Sequence, residues 1–175
     1  DPWVQGSCVT PVFQRIVCRG RGDCTTACLA SILNLHYEDV PAFVAEAVDM
    51  GQPHRWHKAY MVWLREIGYH IVDVMWDDLH DWRGLDGTFA ILSVPSQRFE
   101  GIFHDVVCTW DAHESGAMKM RIVHDPNPGN QPYPDTVAPS FVRFLVPRVP
   151  EVSRHIDLVH ALKKAREVIN APVVV

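Results

Sequence analysis

Cys24 stands at the head of an apolar run, in Gly22-Asp23-Cys24-Thr25-Thr26-Ala27-Cys28-Leu29-Ala30-Ser31-Ile32-Leu33. A small polar turn there feeds a cysteine into the first turn of what reads as a buried helix. A helix N-terminus carries partial positive charge and unpaired N–H groups. Both favour a thiolate, the nucleophilic form, over a thiol. The same N–H groups can hold the oxyanion that forms on an attacked carbonyl. The competing reading makes Cys24 a small core residue, since free cysteines are among the most buried side chains.

Two later segments weigh toward chemistry. His104–Asp111, a loop over 112–117 and Met118–Asp125 read as a β-hairpin. With Asp111 opposite Met118, His104 falls opposite Asp125. Directly opposed residues share a face, with Cβ atoms about 4.5–5.5 Å apart. A carboxylate in that place fixes the imidazole tautomer and favours imidazolium. The same register sets Asp105 opposite His124 on the other face, and periodicity does not choose between the two pairs. A one-residue slip removes both. If the end of the sheet packs against the helix that Cys24 opens, a nucleophile, a base and an orienting carboxylate meet.

The elements that must position these groups follow from the periodicity. A short strand is expected at Pro11–Val17, within an irregular arm over residues 1–23, where Gly20 and Gly22 loosen the backbone before Cys24. Cys24, Ala27, Cys28, Ser31 and Ile32 recur at i, i+3 and i+4, predicting a helix from Cys24 to about Asn34. Pro41 suits the first position of a second helix reaching about Asp49. Tyr60, Trp63, Leu64 and Ile67 define a third over about His57–Ile67, stopped by Gly68. The period then becomes strand-like: Ile71–Val74, the continuous apolar run Thr88–Val94 that reads as buried on both faces, the hairpin, and Ser140–Pro147. An acidic, aromatic-rich loop over 77–87 lies between the first two strands, and Trp76 and Trp82 beside it are candidates to line a groove. Asp125-Pro126-Asn127-Pro128-Gly129-Asn130 breaks the chain in a turn-rich run. An amphipathic helix follows over 155–170. Helices first and an antiparallel sheet after make the class α+β, expected as one domain over 1–175.

Composition excludes several classes. The 175 residues carry a net charge of -5, 47% hydrophobic and 21% charged residues, which fits an ordinary globular core. No basic block suggests nucleic acid, and no apolar run is long enough for a bilayer. The opening Asp1-Pro2-Trp3-Val4 lacks the basic and apolar regions of a secretory leader. Five cysteines leave at least one thiol unpaired, which suggests a reducing, cytoplasmic setting with Cys8–Cys18 the sole pair considered for oxidation. Cys24 and Cys28 are spaced CxxxC with no matching second pair, so no metal is expected. Cys28, one turn beyond Cys24, reads as core packing.

The chain resembles the papain-like cysteine peptidase superfamily, in which a Cys at a helix start precedes a His at a strand start and an Asp or Asn on the next strand. It is similar in particular to poorly characterised bacterial and phage members. The likeness rests on the Gly22-Asp23-Cys24 helix start, Glu38-Asp39-Val40-Pro41-Ala42-Phe43, His104-Asp105-Val106-Val107 and His124-Asp125-Pro126-Asn127-Pro128. It covers about residues 22–130. The resemblance implies a papain-like fold, with Cys24 as nucleophile, His104 as base and Asp125 as its orienting carboxylate, and so selects this pair over Asp105–His124. Papain-like enzymes often carry an oxyanion Gln a few residues before the Cys. Position 18 is Cys18 here, so Gln14 takes that role if residues 19–22 loop out, with Gln5 farther off. Asp105 stands where a small residue is common, and its charge can act on His104 or His124. The implied activity is acyl transfer through a thioester on Cys24, as a peptidase or amidase acting on a peptide or protein without a cofactor. Glutamine deamidation, transglutaminase-like transfer and a non-catalytic peptide-binding role remain open. The resemblance also leaves room for a delivered effector or a phage protein.

Overall fold

The computed structural model describes residues 9–78, 84–112, 118–134, 137–148 and 158–171. Helices α1 (Cys24–Leu33), α2 (Phe43–Asp49) and α3 (Trp56–Glu66) come first. Strands β1 (Tyr69–Met75), β2 (Phe89–Pro95), β3 (Phe103–Ala112), β4 (Met118–His124) and β5 (Phe141–Pro147) follow, and α4 (Leu158–Asn170) closes the described chain. The strands form one antiparallel sheet in the order β1-β5-β2-β3-β4. The class is α+β, with an N-terminal helix packed against a five-stranded sheet. Among the described residues no helix is long and apolar enough to cross a membrane.

Helix α1 is buried around its circumference: residues 25–32 are all buried, polar Thr25, Thr26 and Ser31 included. Such a helix needs internal partners for its hydroxyls. Thr26 donates to the Pro41 carbonyl at 2.6 Å and Ser31 to the Ala27 carbonyl at 2.8 Å. The helix ends at Asn34, whose left-handed backbone (φ 52°) forms the C-cap. Helix α2 begins later than its proline suggests: Pro41 precedes the N-cap, Ala42, instead of occupying the first helical position.

The sheet carries core on both faces. Ile91, Val107 and Leu145 meet the helices, with Leu29, Phe43, Tyr60, Trp63 and the inner stripe of α4 (Ala161, Ala165, Ile169). Ala90, Leu92, Val106, Cys108 and Trp110 form a second cluster with Val142. Strand β2 therefore lies buried on both sides, as its uninterrupted apolar run requires. Trp76 is partly buried against this second cluster. Trp82 lies outside the described residues.

Two expectations change. Residues 9–23 contain no strand; the segment instead runs along the helix head and is held by side chains. The hairpin register is also shifted by one. Asp111 faces Lys119 and Ala112 faces Met118, and a bulge between Val107 and Cys108 then sets Val107 opposite His124. The turn holds one residue fewer than expected, and the bulge inserts one residue, Val123, on β4.

At the helix-side end of the sheet the packing turns polar. Ser93 faces Asp105 across β2 and β3, and Ile91 faces Arg143 across β2 and β5. The fully buried Asp105 carboxylate accepts from Arg143 at 2.6 Å, from Ser93 at 2.5 Å and, from α1, Thr25 at 2.5 Å. Arg143 also reaches Asp73 on β1 at 3.5 Å. Burial pushes the Asp105 carboxyl up, but the Arg143 charge and these hydrogen bonds outweigh it and hold it below the usual carboxylate range. Removing one partner of a buried ion pair strands the other. Asp105→Ala and Arg143→Ala are each expected to lose about 3–5 kcal/mol in urea unfolding. The double variant should lose clearly less than the two losses added, and additive losses would show that the pair is not coupled.

Candidate active site

Cys24 is the first residue of α1 and partly exposed. Its neighbour Asp23 is the N-cap, yet its side chain makes no capping bond to the helix. The buried Asp23 carboxylate turns outward to the arm instead, accepting the backbone N–H groups of Arg15 and Ile16 at 3.0 Å each. The Tyr37 hydroxyl also donates to it. Burial, with that hydrogen bond next, pushes the Tyr37 hydroxyl well above its ordinary range. Gly20, in the left-handed region at φ 69°, turns the chain between Cys18 and Arg21 and lets the arm double back to Asp23. The expected looping-out before Cys24 is therefore present.

The other side of the site comes from the sheet. His104 lies near the start of β3 and is 7% exposed, and its Nε2 is 2.7 Å from Asp125 Oδ1. The expected contact is made, but not through the expected register. Asp125 lies just past the end of β4, where the chain leaves the ladder. It is held by its own turn: Asn127 N–H donates to Oδ1 at 2.8 Å and Asn130 Nδ2 to Oδ2 at 3.0 Å. Gly129 N–H then donates to Asn127 Oδ1 at 3.1 Å. Asp125-Pro126-Asn127-Pro128-Gly129 is thus two successive Asx turns, each side chain capturing the N–H two residues on.

Cys24 lies beside His104 in the same cleft, and since Asp125 takes Nε2, Nδ1 is the ring nitrogen left for the thiol. Burial pulls the His104 imidazolium down, but the hydrogen bond to Asp125 and the neighbouring Cys24 and Asp125 groups prevail, raising it to about 10. Burial likewise pushes Asp125 up, and its bonds from His104, Asn127 and Asn130 bring it below the usual carboxylate range. The alternative pair is not formed. Asp105 is committed to Arg143, Ser93 and Thr25, while His124 Nε2 meets the Val12 carbonyl at 2.8 Å.

A cleft of about 270 Å³ gathers Cys24, His104 and Gln14, with Val17, Phe99 and Phe141 along its apolar flank. Gln14 N–H donates to the Pro126 carbonyl at 3.0 Å, which ties the arm to the Asx turns. Its side chain is under-committed: Nε2 makes one long bond to Ile16 O at 3.4 Å, and the buried Oε1 has no partner. Cys28 is buried and donates to the Asp105 carbonyl at 3.4 Å, and burial pushes its thiol well up. Cys18 is an exposed free thiol; Cys8 and Gln5 lie outside the described residues. Among the described residues, no group of three or more His, Cys, Asp and Glu side chains converges to hold a metal ion.

Sequence reading missed Asp23, Asn127, Asn130 and the Asp105 partners. The D-x-N-x-G spacing of the Asx turns was the one signal available, and it points to Asn127 alone. Fold and site together define a Cys–His–Asp constellation between the head of a buried helix and the edge of an antiparallel sheet. The chain matches no protein-family model, no curated protein and no solved structure.

The charge pair links site and stability. A raised His104 contributes stability that is fully present below its unfolded value near 6.5 and is lost as pH rises toward about 10. A lowered Asp125 contributes stability present above its unfolded value of 3.8 and lost in acid. Asp125→Asn is therefore expected to lower Tm most between about pH 4 and 6.5. The deficit should shrink toward pH 10, read by circular dichroism melts across that range. A pH-independent deficit would mean that the two groups do not titrate as a pair.

Proposed function

We propose that this chain is a papain-like cysteine-dependent acyl-transfer enzyme, acting most directly as a hydrolase of a peptide or amide bond. One observation carries the reading: a His104 held by Asp125 through Nε2, sharing its cleft with Cys24 at the head of a buried helix. Asp125 is itself fixed by two further donors, so the imidazole is oriented before substrate arrives.

In the proposed reaction the Cys24 proton passes to His104, and Sγ attacks the substrate carbonyl carbon. The C=O π pair moves onto oxygen, where the Cys24 backbone N–H and the Gln14 side-chain amide hold the oxyanion. Collapse reforms the carbonyl and breaks the C–N bond. His104 gives its proton to the departing amine and leaves a thioester. Water then attacks the thioester carbonyl, with His104 taking the water proton and returning it to Sγ. The acid is released and the free thiol restored. The role of Gln14 is supported by its place in the cleft and its nearly unused amide.

The test is alkylation by iodoacetamide of the reduced chain across pH 5 to 9, with the modified cysteine mapped by mass spectrometry. Cys24 should label faster than the exposed Cys18 at pH 6, and His104→Ala should slow it at least about tenfold. Equal labelling of Cys24 and Cys18, unaffected by His104→Ala, would overturn the reading. With a turned-over substrate in hand, Gln14→Ala should lower kcat about 10²–10³-fold, the usual loss for one oxyanion donor. Ammonia released without chain cleavage would assign the amide to a glutamine side chain.

A further inference from the structure

Arg98 lines the same cleft as Cys24 and His104, and the proposed chemistry does not use it. It sits in the loop after β2, where Ser96 Oγ accepts the N–H groups of Arg98 and Phe99 at 3.2 Å each. The next tie crosses to the Asx turns. Gln97 Nε2 donates to the Gln131 carbonyl at 2.7 Å, and Gln131 N–H returns a bond to Gln97 Oε1 at 2.9 Å. This reciprocal clamp lays the Arg98 guanidinium directly on Gly129, where any larger residue would displace it. The arginine is thus preorganised beside the turn that holds Asp125.

No hydrogen bond or ion pair engages that guanidinium among the described residues. Four other arginines are ion-paired: Arg15 with Glu38, Arg21 with Asp49, Arg121 with Asp111 and Arg166 with Glu46. The acids of the cleft are not open to it. Asp125 serves His104 and its own turn, and Asp105 is committed to Arg143. A planar guanidinium held in place and left unpaired matches a carboxylate.

We propose that Arg98 is a specificity residue that pairs with a substrate carboxylate, so that the preferred substrate carries an Asp- or Glu-like acid near the bond attacked by Cys24. This rests on the reading of Cys24 as nucleophile. The test uses peptidyl vinyl sulfones bearing Glu or Asp, Gln or Asn, or Lys at each of four positions before the reactive group. The Cys24 sulfur adds to the vinyl terminus, the C=C π bond breaks, and the resulting carbanion takes the proton from His104, so labelling needs no turnover. At one position the Glu or Asp probes are expected to label Cys24 about tenfold faster than their Gln or Asn isosteres. Arg98→Gln should abolish that ratio, and Arg98→Glu should turn it toward Lys. An acid preference that is absent, or that persists in Arg98→Gln, overturns the assignment of Arg98 while iodoacetamide still singles out Cys24. Failure of iodoacetamide to single out Cys24 overturns the nucleophile itself, and the subsite with it.

Discussion

Burying a full charge is unfavourable unless its lone pairs find donors, and Asp105 is the place where this fold meets that constraint. Its carboxylate joins α1 through Thr25, β2 through Ser93 and β5 through Arg143, and Arg143 continues to Asp73 on β1. Thr25 follows Cys24, and Asp105 follows His104. The link that fastens the helix to the sheet therefore sits one residue from each of the two groups that the proposed chemistry needs. If the helix head moved against the sheet, the carboxylate would lose a donor in a place where water cannot replace it.

The same solution appears on both flanks. Asp23, just before Cys24, holds the arm by two backbone N–H groups, and Asp125, just after His124, is held by its own turn. Each of these aspartates faces a different structural element, so the cysteine, the histidine and Gln14 are fixed from separate directions. The arm needs no strand pairing because side chains supply its partners. Val12 N–H meets Ser31 Oγ at 2.9 Å, the Val12 carbonyl meets His124, and Phe13 stands edge-on to the His124 ring. This answers the question of how an irregular segment satisfies its buried backbone groups.

The sequence made most of this arrangement legible where the pattern was local. The helical spacing from Cys24 to Ile32, the stripe Tyr60–Trp63–Leu64–Ile67 and the uninterrupted run of β2 each predict their element to within a residue or two. The cross-strand pairing argument left His104–Asp125 and Asp105–His124 open, and the resemblance selected the first. The contact is made, but a bulge and two Asx turns, not the expected register, deliver it. Bulges leave no periodic trace, so the register was illegible. The partners of Asp105 were illegible for another reason: Thr25, Ser93 and Arg143 are distant in sequence, and no local pattern connects them. Arg98 carried no signal at all, since a lone arginine in a loop reads as a solvated surface residue.

The strand order has a consequence for the chain as it emerges from the ribosome. Strand β5 lies between β1 and β2, so β1 reaches the sheet only through a strand that comes more than sixty residues later. Arg143, the cation that answers Asp105, arrives on that same strand. The helices are made early, but the polar network at the helix head is incomplete until β5 enters its gap. Until then the buried carboxylate next to His104 lacks its counter-charge, so the surroundings of the cleft are completed only when a strand made late in the chain joins the sheet.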